Sequence, residues 1–134
     1  MAAGQYDLAL RAYYRAAAQQ GVNVDVLSAI GSADLQLGRL GQAEQILRRA
    51  LERDPQFVPA LNNLGVVLME RGKIGEAVET FRLAFALDSG QSARIRENLR
   101  LALAKLENPS YAEEDNNFAL VRRGNGEYLL LSQH

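Results

Sequence analysis

The same pattern of residues returns every 34 positions along this 134-residue chain. Gly4, Gly38 and Gly72 keep that step, as do Ala9, Ala43 and Ala77. So do Tyr13, Leu47 and Phe81, and then Ala16, Ala50 and Ala84. Leu27 and Leu61, Ile30 and Leu64, and Gly31 and Gly65 obey it too. A fixed period of this length means one supersecondary unit copied and stacked. Stacked units build a long curved surface rather than a closed pocket, which favours a binding scaffold over a catalyst.

The local pattern is helical. Residues 24–37 carry Leu27, Ile30, Leu35 and Leu37, and residues 58–71 carry Leu61, Leu64, Val67 and Leu68, at helical spacing. Gly38 and Gly72 sit just past these runs, where a left-handed residue ends a helix at low steric cost. Second helices are expected over about 41–53 and 75–87, each repeating apolar residues at three and four. Ala and Gly at the contact positions let two helix backbones approach, and Leu and Phe fill the grooves between them. Pro55 and Pro59 punctuate the join between copies.

On these residues the chain resembles the tetratricopeptide repeat family. Leu61, Leu64, Gly65, Gly72, Ala77, Phe81 and Ala84 fall on the family's signature positions, and Leu27, Ile30, Gly31, Gly38, Ala43, Leu47, Ala50 and Pro55 match in the copy before. Departures are Leu instead of Trp at the first large position, and Asp34 or Leu68 where an aromatic is usual. Ser89 and Gly21 stand where proline is expected. The resemblance implies an all-α, right-handed superhelix (an α-solenoid) of helix–turn–helix repeats. The repeat domain is expected over residues 1–107: a half repeat at 1–22, full repeats at 24–57 and 58–91, and a terminal helix at 92–107 with a polar outer face.

By register the chain reads as a fragment of a longer protein, its first helix lacking the partner that normally precedes it. That leaves Leu8, Ala9, Ala12, Tyr13 and Ala16 as a stripe expected to self-associate. Pro109 stops the last helix, and residues 108–117 read as a polar linker. Residues 118–131 are two apolar runs around Gly124-Asn125-Gly126, a β-hairpin pattern. A lone two-strand ribbon is marginal in water, so this one is expected to dock on its own helices, a second copy or a partner.

Composition excludes several classes. A net charge of −1 gives no electrostatic footprint for nucleic acid. No apolar run approaches the ~20 residues of a membrane span. There is no cysteine, and His134 is the only histidine, which removes thiolate and multi-histidine metal sites. The carboxylates sit on helix surfaces at ion-pair spacing, and Glu70 with Lys73, and Glu76 with Lys73 or Glu79, read as solvated faces. Glu113-Glu114-Asp115 lacks the spacing of a calcium loop, and no cofactor motif is present.

In tetratricopeptide proteins the first helix of each repeat lines a concave groove that holds a peptide or a partner helix. Carried over by register, the groove takes Asp25, Ser28, Ser32, Leu35 and Gln36, then Asn62, Asn63, Val66, Met69 and Glu70. With one extra residue allowed in 89–92, Arg94, Glu97, Asn98 and Leu101 follow, and Asn63 and Asn98 become equivalent. An asparagine offers two donors and one acceptor group, enough to pair with the amides of an extended peptide. Three stretches further resemble the tetratricopeptide proteins of Tad-type pilus assembly: Asn62–Arg71, Arg96–Leu106 and the Arg122-Arg-Gly-Asn-Gly-Glu-Tyr128 ending. That resemblance implies an assembly factor, a lipoprotein of the bacterial envelope. The alternative is a regulatory repeat module of a larger enzyme such as a glycosyltransferase.

Overall fold

The computed structural model describes residues 3–108, so the expected linker beyond Asn108 and the expected hairpin at 118–131 lie outside the described residues. Six helices follow one another: α1 (Ala3–Gln20), α2 (Val24–Gln36), α3 (Leu40–Arg53), α4 (Val58–Glu70), α5 (Ile74–Leu87) and α6 (Ala93–Glu107). No strand occurs among the described residues. Each helix packs on the next, and α4 also touches α2 and α6. Helices α2, α4 and α6 therefore form an inner layer, with α1, α3 and α5 behind it.

The ends of these helices are set by local chemistry. Asn23 caps α2 by accepting from the Val26 amide at 2.9 Å, and Ser92 caps α6 by accepting from Ile95 at 3.2 Å. Gly72, with φ of 78°, closes α4: its amide reaches the Met69 carbonyl and the Lys73 amide reaches Leu68. Gly38 repeats the motif 34 residues earlier. At the end of α5 the same motif falls on Ser89, left-handed at φ 58°, followed by left-handed Gly90. The Asp88 carboxylate steadies this bend by accepting from the Gly90 and Ser92 amides, each at 3.0 Å. These two consecutive left-handed residues carry the extra position that the register required before α6.

Two glycines fix how closely the layers meet. A Cβ placed on Gly31 would lie 2.5 Å from Leu47 Cγ, and one on Gly65 would run into the Phe81 ring. Leu47 and Phe81 are fully buried there, each contributing about 1.5–3 kcal/mol by removal from water. The two contacts are the same contact, one repeat apart. Gly4, in register with Gly38, lies inside α1 instead of in a turn. Of the stripe expected on α1, Leu8 is 63% exposed and Ala12 is exposed, but Ala9, Tyr13 and Ala16 are half-buried. Leu10 anchors the helix, packing with Tyr13 against Ile30 and Ala33 of α2. The neighbour after α1 covers this face, so the exposed patch is narrower than the sequence implied.

Gly31→Ala and Gly65→Ala are each expected to lower stability by about 1–3 kcal/mol despite alanine's better helix propensity, because the ring or leucine must move. Gly75→Ala, whose added Cβ meets nothing within 4 Å, should be neutral or gain up to about 1 kcal/mol. Urea denaturation of the three variants checks this; a Gly65→Ala protein as stable as the parent would contradict the packing.

Candidate functional site

The face of the inner layer turned away from α3 and α5 is the candidate site. On α2, Ser28 and Leu35 are buried, Ser32 is half-buried, and Asp25 and Gln36 are exposed. On α4, Asn62, Asn63, Val66 and Met69 are buried and Glu70 is half-buried. On α6, Asn98 and Leu101 are buried, Glu97 is half-buried and Arg94 is exposed. Gln36 ends α2 and Arg94 lies in the first turn of α6, so neither joins the buried centre.

That centre is a seam of three asparagines. Asn98 Nδ2 donates to Asn62 Oδ1 at 3.0 Å, and Asn62 Nδ2 donates to Asn63 Oδ1 at 3.5 Å, the latter at the long limit of a hydrogen bond. The register made Asn63 and Asn98 equivalent. Equivalence means the same face of successive units, whereas contact is made with the adjacent helix, and there Asn98 meets Asn62. Val66, Met69 and Leu101 interrupt the amides with apolar surface. Alternating amides and small apolar groups suit an extended main chain, whose amides need partners and whose side chains need pockets.

Lys105 lies on the terminal helix, for which a polar outer face is expected, yet it is 4% exposed. The outward reading fails because α6 runs in the inner layer, and the position after Ala104 turns toward the groove. A step of 35 from Glu70, the one that relates Asn63 to Asn98, would have found it.

The ion pairs also differ from expectation. Lys73 reaches back to Glu44 on α3, at 3.2 Å to Oε1 and 3.3 Å to Oε2, not to Glu70 or Glu76. Arg71 donates to the same carboxylate at 3.2 Å and Arg48 at 3.0 Å, while Arg48 also holds Glu76 at 2.6 Å. Arg39, in register with Lys73, reaches Asp7 of α1 at 3.9 Å. The turns after α2 and α4 are thus each tied to the outer helix that precedes them. Burial pushes the Glu44 carboxyl up, but hydrogen bonds from Arg48 and Lys73, with their charges, outweigh it and hold it below the ordinary glutamate range. Asp34, at a position where an aromatic is usual, goes the other way: burial raises its pKa and the Arg39 charge only partly offsets that. Asp34 borders a polar cleft of 190 Å³ with Tyr14, Gln42, Gln45, Ile46 and Arg49, between α1 and α3 and apart from the inner face.

Among the described residues no three His, Cys, Asp or Glu side chains cluster to hold a metal, and no helix is long and apolar enough to cross a membrane.

The architecture places the chain in the class of helix–turn–helix repeat arrays. The sequence profile described as Tetratricopeptide repeat matches residues 1–56 and again 28–92. The chain belongs to the tetratricopeptide repeat family. It is 39% identical over 79 residues to Tetratricopeptide repeat protein 8 of Caenorhabditis elegans, a match covering 58% of this chain and 16% of that protein. Proteins of this family are generally non-catalytic scaffolds, and the repeats of this chain suggest a scaffold for protein–protein interaction.

Glu44→Gln should destabilise the protein by about 1–3 kcal/mol near neutral pH, since three cations lose their anion. A carboxyl whose folded pKa is depressed contributes stability above its unfolded value and loses it as pH falls through the folded one. The gap between parent and variant should therefore close on acidification below about pH 4.5. Denaturation midpoints measured from pH 7 to 3 check this; a gap independent of pH would contradict the network.

Proposed function

We propose that this chain is a non-catalytic scaffold that holds an extended peptide or partner helix along the inner face formed by α2, α4 and α6. The observation that carries the reading is the buried seam Asn63–Asn62–Asn98 with Val66, Met69 and Leu101 beside it. Its amides suit main-chain groups, so binding would depend on an extended backbone more than on any one side chain. Ser28, Ser32 and Gln36 continue the line on α2, and Glu70 and Arg94 set charge at its edges. No cofactor is needed for this role, and a near-neutral surface directs it to protein rather than nucleic acid.

More narrowly, we assign the partner to an envelope assembly system of the pilus type, on the resemblance of Asn62–Arg71 and Arg96–Leu106 to its tetratricopeptide proteins. Association of two copies through Leu8 and Tyr14, 63% and 53% exposed on α1, fits the same scaffold role.

Affinity capture from the native extract tests the groove. The intact chain is expected to enrich a partner that Ser32→Arg/Gln36→Glu loses by roughly tenfold, about 1.4 kcal/mol. Arg49→Glu, on the outer layer, should retain it. A partner lost with Arg49→Glu and kept by the α2 variant would move the binding surface to the outer layer.

A further inference from the structure

The cleft beside Asp34 is built differently from its counterpart one repeat on. Its floor is Asp34 of α2, 3% exposed, and its walls are Tyr14 of α1 with Gln42, Gln45, Ile46 and Arg49 of α3. A step of 34 maps Asp34 to Leu68, Tyr14 to Arg48 and Gln42 to Glu76. In that second unit Leu68 is fully buried, and Arg48 on α3 donates to Glu76 on α5 at 2.6 Å. There the floor is apolar and an ion pair spans the rim. In the first unit the charge sits on the floor, and Tyr14 and Gln42 at the rim are uncharged. The space left, 190 Å³, is the liquid volume of about six waters.

A buried carboxylate is costly unless a cation or a set of N–H donors meets it. Among the described residues the Asp34 carboxylate has one such partner, the Arg39 guanidinium, which at 4.0 Å from Oδ1 is too far for a hydrogen bond. Arg39 is also shared: it lies 3.9 Å from Asp7, which takes Arg11 at 3.3 Å. Burial accordingly holds the Asp34 carboxyl above the ordinary aspartate range, and the Arg39 charge offsets only part of that. We propose that this cleft is a second binding site, on the outer side of the stack, for a basic side chain, lysine or arginine, presented by a protein partner. The cationic head enters first and pairs with Asp34, and its methylene stem lies against Ile46. Tyr14, Gln42, Gln45 and Arg49 at the mouth offer donors to the main-chain carbonyls flanking that residue. Arg49 is exposed, so solvent screens its charge from the incoming cation. A free basic amino acid supplies the same head group, but its α-ammonium would bring a second positive charge to the mouth beside Arg49; a residue within a peptide carries none there.

Titrating the full chain with a glycyl-arginyl-glycine tripeptide blocked at both ends, followed by NMR at the side-chain amides of Gln42 and Gln45, tests the site. These signals should shift and saturate with a Kd of about 1 mM, as expected for one charged side chain and its neighbours. The same tripeptide with uncharged citrulline in place of arginine should bind roughly tenfold more weakly, and so should free L-arginine. Asp34→Asn keeps the shape of the floor and should weaken the arginyl tripeptide by a similar factor. Asp34→Leu, which copies Leu68, should abolish the shifts while melting no lower than the parent, because it removes an underpaired buried charge. Circular dichroism shows that both variants fold. Absence of saturable shifts, or equal binding of the arginyl tripeptide by the parent and Asp34→Asn, would overturn the proposal. So would equal binding of the citrulline tripeptide. L-arginine binding more tightly than the tripeptide would overturn the assignment to a protein partner.

Discussion

The approach of α4 to α5 depends on Gly65 having no side chain, because the Phe81 ring occupies the space where one would be. Gly31 and Leu47 make the same contact one repeat earlier. A helix pair that meets this closely has one crossing geometry, since a bulky ring drops into a groove of the facing backbone. Repeating the pair at a constant step repeats the crossing, and the inner helices come to lie side by side. Everything proposed for the inner face follows from that alignment: asparagines on separate helices can share hydrogen bonds only if α4 and α6 stay in register.

The second device is ionic. Glu44 binds Arg48 on its own helix and Arg71 and Lys73 from the turn of the next unit. A carboxylate this well satisfied holds the rotation between units as well as their distance. The same turns carry Gly38 and Gly72 in left-handed conformation, so one short segment both ends a helix and ties it to its neighbour.

The helical repeats and the glycine turns were legible in the sequence because their causes are local or recur at one step. A missing side chain against a large one leaves a pair such as Gly65 and Phe81, and the pair returns 34 residues apart. Register placed Asn63 and Val66 on the inner helix α4, but not their burial or that of Lys105, which depends on tertiary packing rather than on spacing along one helix. Glu44 was missed because its partners Arg71 and Lys73 lie 27 and 29 residues away, beyond any helical spacing rule. Local spacing pointed Lys73 to Glu70 or Glu76 instead. The exposed stripe on α1 was overestimated because periodicity marks an apolar face without saying which neighbour takes it, and Leu10 and Tyr13 turn toward α2.

A stack held by contacts between neighbouring units has a stability that varies along it, greatest where a helix has neighbours on every side. Native-state hydrogen exchange, followed residue by residue, measures this directly. The slowest amides are expected in α4 and α5, with protection falling toward α1, whose Leu8 and Tyr14 face solvent. Exchange as slow in α1 as in α4, or fastest in α4, would contradict a stack organised around the Gly65–Phe81 contact.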